Sequence, residues 1–319
     1  MKRRMRILLV LFALSLLSCG PKKGAGNPAV RDFPAAEIPV MLDTPDERAE
    51  WLACHFWDRF TDTDRHHPCD SATVNGVPKE KLEEQVGLFA TLLQQLPLSV
   101  GEQAMTACFE RLEAFQKAFP DAHVFAETSA LITRYFYDPN SPVRSEDLYL
   151  PFVTGLAQSD LTPESLRLAY RWDARNCALN RTGTPAADFN FIDTEGRQRT
   201  LYGISAEFTL LIFGNPDCSA CRDLMEQMDA SEEIAELIGA GRLKVADIYI
   251  DEDIDLWMEK RGDYPADWIN GYDPSFRIRT DLLYNVRALP SLYLLDKDKR
   301  VLLKDAPPER VLSMLVNAF

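Results

Sequence analysis

The sequence predicts an α-helical N-terminal domain followed by an α/β domain. Three observations carry this. Apolar residues recur at helical spacing through residues 40–180, with no clear strand among them. From Phe208 onward, short apolar runs bounded by turn residues alternate with helix-forming stretches. A length of 319 residues suits two domains at about 100–200 residues each.

Composition excludes several functions. With 46% hydrophobic and 26% charged residues the chain is an ordinary globular one, not a disordered one. Its 35 Lys and Arg against 49 Asp and Glu leave a formal net charge of −14. That balance argues against tracking nucleic acid or binding acidic lipid, both of which need clustered cations. No internal repeat is present, and the 20 prolines and 15 glycines follow no period.

Residues 1–6 carry Lys2, Arg3, Arg4 and Arg6, and an apolar-to-small run follows from Ile7 to Leu17. This run is too short to cross a bilayer as a helix, which takes about 20 residues, and a basic head before it is the layout of a secretory signal. It ends in Leu16-Leu17-Ser18-Cys19, which resembles the bacterial lipobox. The resemblance implies a lipoprotein signal peptide over 1–18 and acylation of Cys19. An ordinary signal peptide that contains a cysteine is the alternative. Residues 20–27 (GPKKGAGN) suit a flexible tether, so 19–39 is expected to link the lipid to the folded chain. The expected location is the cell envelope, held by lipid alone and facing the periplasm. The outer membrane is favoured because Gly20 is not the Asp associated with inner-membrane retention in some bacteria.

In the helical domain (40–180), Thr44-Pro45-Asp46-Glu47 reads as a capped helix start with acids at the positive dipole end. Ala49, Leu52, Ala53, Phe56, Trp57 and Phe60 then form one apolar stripe. Leu82, Val86, Phe89 and Leu93 form a second, and Met105, Cys108, Leu112, Phe115 and Phe119 a third. Residues 124–137 and 163–180 complete about five helices. ERAEWLACHFWDRF resembles the opening of an uncharacterised helical domain that precedes thioredoxin-like domains in bacterial lipoproteins, a resemblance that implies no activity. Cys54, His55, His66, His67 and Cys69 invite a metal, but a Cys54–Cys69 disulfide is the favoured reading. Cys108 falls in an apolar stripe and reads as core; Cys177 pairs with it or with neither. Four cysteines allow three pairings, and sequence does not choose among them.

In the α/β domain (181–319), Phe208–Phe213 (FTLLIF) is a strand buried on both faces, and Gly214–Asp217 is a turn. CSACRDLMEQM then forms a helix with Leu224, Met225 and Met228 inward. Cys218 thus opens a helix, where free N–H groups and the dipole stabilise a thiolate, and Cys221 follows one turn later to resolve a mixed disulfide. A zinc site would need two further ligands, yet no His lies beyond His123. A merely structural disulfide is the other reading of the pair.

Residues 183–319 resemble a thioredoxin-like domain of the TlpA/ResA type. Thr184-Pro185-Ala186-Ala187-Asp188-Phe189, Phe191-Ile192-Asp193 and Gly196 are similar to its opening hairpin. Leu243–Ile250 and Leu256–Lys260 match its next strand and helix. Val286–Asp296 matches the strand that begins at a cis-proline. Asp296–Lys299 is the hairpin turn, Val301–Leu303 the last strand and Pro308–Asn317 the closing helix. The resemblance implies a central mixed sheet flanked by helices, with Cys218 and Cys221 catalytic. It also implies a cis Leu289–Pro290 bond, with Leu289 and Pro290 holding an extended substrate. The implied activity is thiol–disulfide oxidoreduction on protein thiols and disulfides with an unidentified redox partner. No cofactor, metal or nucleic acid is expected.

The departures bear on function. Asp217 replaces the family's Trp, and it and Asp223 oppose a thiolate that Arg222 partly offsets. Ile212 stands where thioredoxins keep a buried acid, with Glu252 or Asp253 as possible substitutes. Tyr264–Phe276 is an aromatic insertion, read either as cover for one sheet face or as a lid at the dithiol. Two competing functions follow: a binding scaffold with an inert disulfide, and a peroxidase. The peroxidase is opposed by Asn215, which stands where peroxiredoxins have Thr or Ser.

Overall fold

The computed structural model describes residues 30–317 other than Pro68. The expected signal peptide 1–18 and Cys19 lie outside these residues. The described chain forms two compact units. One runs to Arg144 and resumes over Leu148–Ala174; the other takes Ser145–Asp147 and the described residues from Arg175 on. Among the described residues no helix is long and apolar enough to cross a membrane.

The first unit is built on helices α1 (Pro45–His55), α2 (Lys79–Leu93), α3 (Leu98–Ala118) and α4 (Val124–Tyr137), with most of α5 (Glu146–Gln158) and α6 (Glu164–Cys177). Thr44 caps α1 reciprocally: its hydroxyl accepts the Glu47 N–H at 3.2 Å, and the Glu47 carboxylate accepts the Thr44 N–H at 3.1 Å. Phe56, Trp57 and Phe60 pack with Phe89 into an aromatic core. Phe33 stacks on Phe60 at 5.3 Å, and the Arg31 N–H donates to Gly76 O at 2.8 Å. From Val30 on, therefore, the expected tether is folded onto this unit, because Phe33 gains more by leaving water than a free tether would.

Two expectations for this region are corrected. Thr73–Val74 (β1) and Val77–Pro78 (β2) form a hairpin where no strand was expected. Its turn, Asn75-Gly76, has φ of 49° and 75°, the mirror-image geometry that this dipeptide favours. Cys54 and Cys69 remain thiols rather than a disulfide. Asn75 anchors that loop instead. Its amide donates to Phe60 O at 2.7 Å and accepts the His67 N–H at 2.8 Å, and its own N–H donates to Cys69 Sγ at 3.1 Å. The histidines are otherwise engaged: His55 Nδ1 lies 2.7 Å from Asp58, and His66 stacks on Phe119. Helix α5 was also missed. Pro151 interrupts its helical reading, although Leu148, Phe152, Val153 and Leu156 form its buried stripe.

The second unit is a seven-stranded mixed sheet in the order β4-β3-β7-β6-β5-β8-β9. The strands are β3 (Asn190–Asp193), β4 (Gln198–Thr200), β5 (Phe208–Gly214), β6 (Leu243–Tyr249), β7 (Ile269–Tyr272), β8 (Ser291–Asp296) and β9 (Val301–Lys304). Helices α7 (Ser219–Asp229), α8 (Glu232–Gly239), α9 (Ile254–Lys260), α10 (Arg277–Thr280) and α11 (Pro308–Val316) complete it. Alternation along β5 explains its apolar run: Leu210 and Ile212 pack with Leu224, Met228 and Val311, while Leu211 and Phe213 pack with Phe189, Phe191 and Tyr284. The Tyr264–Phe276 insertion proves to be a sheet element. It supplies β7, which pairs in parallel with β6 and antiparallel with β3, and Trp268 enters the core beside Leu210.

Candidate active site

Cys218 is the N-cap of α7. The Asn215–Asp217 turn delivers it there: the Asn215 side chain accepts the Asp217 N–H at 2.9 Å, and Asn215 O accepts the Cys218 N–H at 3.0 Å. Cys218 Sγ accepts the Cys221 N–H at 3.2 Å, so the sulfur meets the positive end of the helix dipole. The two cysteines differ in environment. Cys218 is partly exposed, whereas Cys221 is buried at 4% exposure. Burial first, and the hydrogen bond with Cys218 second, push the Cys221 thiol well above the ordinary range. One sulfur is thus open to solvent, and the other is buried and holds its proton.

Leu289 and Pro290 are brought to the same place. Their peptide bond is cis, and Cys218 Sγ lies 3.6 Å from Leu289 O. The loop carrying them is pinned at both ends by buried charge. Asn285 and Arg287 both donate to Glu146 Oε1, Arg287 also donates to Asp305 at 2.9 Å, and the Ser291 hydroxyl donates to Asp305 at 2.8 Å. Lys304 Nζ closes the network 2.8 Å from Glu146 Oε2, with both side chains 1% exposed. Removing one partner strands the other charges away from water. Glu146→Ala is therefore expected to lower stability by about 3–5 kcal/mol, read from the denaturant midpoint.

An acid that sequence reading missed lies behind the dithiol. Ile212 does occupy the position six residues before Cys218, but Asp247 sits directly beside it in register on β6. Asn270 of β7 is the next residue across in that row. Asp247 is 2% exposed, and burial pushes its carboxyl from the ordinary value of 3.8 up to about 8. The carboxylate fills the space above Gly214: a Cβ there would stand 2.8 Å from both its oxygens. Its charge bears on Cys221, and both groups, after burial, help to hold the Tyr264 hydroxyl of the inserted segment protonated. Glu252 and Asp253, the expected substitutes, are exposed, and Asp253 is used to cap α9 through the Leu256 N–H at 3.1 Å. The signal for Asp247 was present as the one acid in LKVADIY, a strand that is apolar everywhere else after Lys244.

A dithiol opening the helix after a central strand, with a cis-proline loop against its outer sulfur, defines a thioredoxin-like domain. Comparison agrees. A thioredoxin-like protein of known crystal structure from Bacteroides caccae is 32% identical, covering 91% of this chain and 100% of that one, with a TM-score of 0.77. The C-terminal domain of an uncharacterized protein from Bacteroides fragilis is 46% identical and covers 43% of this chain and 97% of its own, with a TM-score of 0.42. A family described as a domain of unknown function, DUF5106, matches residues 18–171. No curated protein matches the chain. The chain belongs to the thioredoxin-like protein family.

Proposed function

We propose that the protein is a thiol–disulfide oxidoreductase acting on protein disulfides, anchored by lipid at Cys19 in the cell envelope, on the outer membrane facing the periplasm. Cys218 attacks a substrate disulfide, forming a mixed disulfide and releasing one substrate thiolate. Asp247 takes the Cys221 proton, and the Cys221 thiolate then attacks Cys218 Sγ. The Cys218–Cys221 disulfide forms, the second substrate thiolate leaves and takes up a proton, and two electrons have passed to the substrate. Leu289 and Pro290 receive the substrate's extended segment, and an unidentified redox partner restores the dithiol.

The observation that carries this reading is the placement of Cys218 Sγ between the Cys221 N–H and Leu289 O. The scaffold alternative calls for a solvent-buried Cys218, and the partial exposure of this residue disfavours it. Titration of the pair against glutathione is the test. The expected potential lies between about −120 and −270 mV, the span of exchange enzymes, whereas a value below about −300 mV marks an inert structural bond.

A further inference from the structure

A groove of about 430 Å3 runs beside the dithiol, between α7 and the inserted segment. Pro216, Met225 and the Tyr264 ring give it an apolar floor, and Glu226, Asp229 and Asp263 give it an acidic rim. Pro216, two residues before Cys218, and Arg222, directly after Cys221, are part of its wall, so the groove reaches the segment that carries the dithiol. None of Asp217, Asp223, Glu226, Asp229 or Asp263 is ion-paired with a lysine or arginine among the described residues. Arg222 is the one cation lining the groove.

We propose that this groove is the subsite for the residues beside the substrate's cysteine, and that it takes a polypeptide segment pairing an apolar side chain with Lys or Arg. The proposal rests on the oxidoreductase reading and gives it a substrate class. Thiol–disulfide exchange spreads negative charge over the attacking and leaving sulfurs. The carboxylates around Cys218 oppose that charge, and a bound cation offsets them. The apolar floor meanwhile removes the neighbouring side chain from water. Cationic segments are thus selected by charge at the rim and by rate at the sulfur.

The test compares three disulfides reduced by the full chain: a peptide disulfide flanked by Leu and Lys, the same peptide with Glu for Lys, and neutral bis(2-hydroxyethyl) disulfide. Three exposed charge contacts, each worth a factor of about 2–3, predict roughly tenfold faster exchange with the Lys peptide at low salt. That gap is expected to close near 1 M salt and to shrink to about two- to threefold in the Asp229→Asn/Asp263→Asn variant, which keeps Glu226. Equal rates for the two peptides, or a preference undiminished in the variant, would overturn the groove assignment and leave the oxidoreductase reading standing. Failure to exchange even the neutral disulfide would overturn both.

Discussion

Cys218→Ser is expected to reduce protein-disulfide exchange to the uncatalysed background, while Cys221→Ser accumulates a covalent protein–substrate adduct. The asymmetry follows from the environment of each sulfur. Cys218 meets solvent and the N-terminus of α7, so it alone is placed to attack an incoming disulfide. Cys221 is buried beneath it, and no external disulfide reaches it. Without the Cys221 thiol, the mixed disulfide on Cys218 has no internal attacker and persists until an external thiol releases it. Non-reducing electrophoresis and mass spectrometry read both outcomes. An adduct on Cys221 instead of Cys218 would reverse the assignment.

Asp247→Asn is expected to separate the two halves of the reaction. The first attack proceeds nearly as before, and resolution slows by about a hundredfold, because the amide cannot accept the Cys221 proton. The wild-type pH profile of resolution should show an inflection near the value of about 8 set by burial, and the variant should lose it. Stability moves the other way. A carboxyl raised from 3.8 to about 8 keeps in the folded chain a proton that the unfolded chain gives up, so wild-type stability falls as pH rises between those values. The variant lacks this slope and is expected to exceed wild type by a few kcal/mol at pH 8, at about 1.4 kcal/mol per pH unit before relaxation. Thermal denaturation across pH 4–9 checks it. A less stable variant at pH 8 would show that the site keeps a charged carboxylate at low cost.

Much of the second unit was legible because its signals are local. The FTLLIF run, the turn before Cys218 and the proline before SLYLLD each announce themselves within a few residues. The first unit's stripes were legible for the same reason. What escaped depends on register or on conflicting local cues. Asp247 comes to lie behind the dithiol only because β6 lies beside β5 with Ile212 and Asp247 paired, and nothing in a linear reading fixes that offset. β7 was hidden by the turn residues Asn270 and Gly271, which the sheet accepts in a short strand lying between β6 and β3. The Asn75-Gly76 hairpin carried a strong signal but joins strands of two residues each, too short to alternate.

Gly214 and Asp247 form a matched pair across two strands, and this ties their histories together. A side chain at 214 needs the volume that the acid now fills, so neither position is free to drift alone. Relatives that carry the acid on β5, at position 212, would release 214 to accept alanine. Relatives that keep it on β6 would retain glycine there. Covariation between positions 212, 214 and 247 across relatives should therefore sort them into two lineages, each with one address for its buried acid.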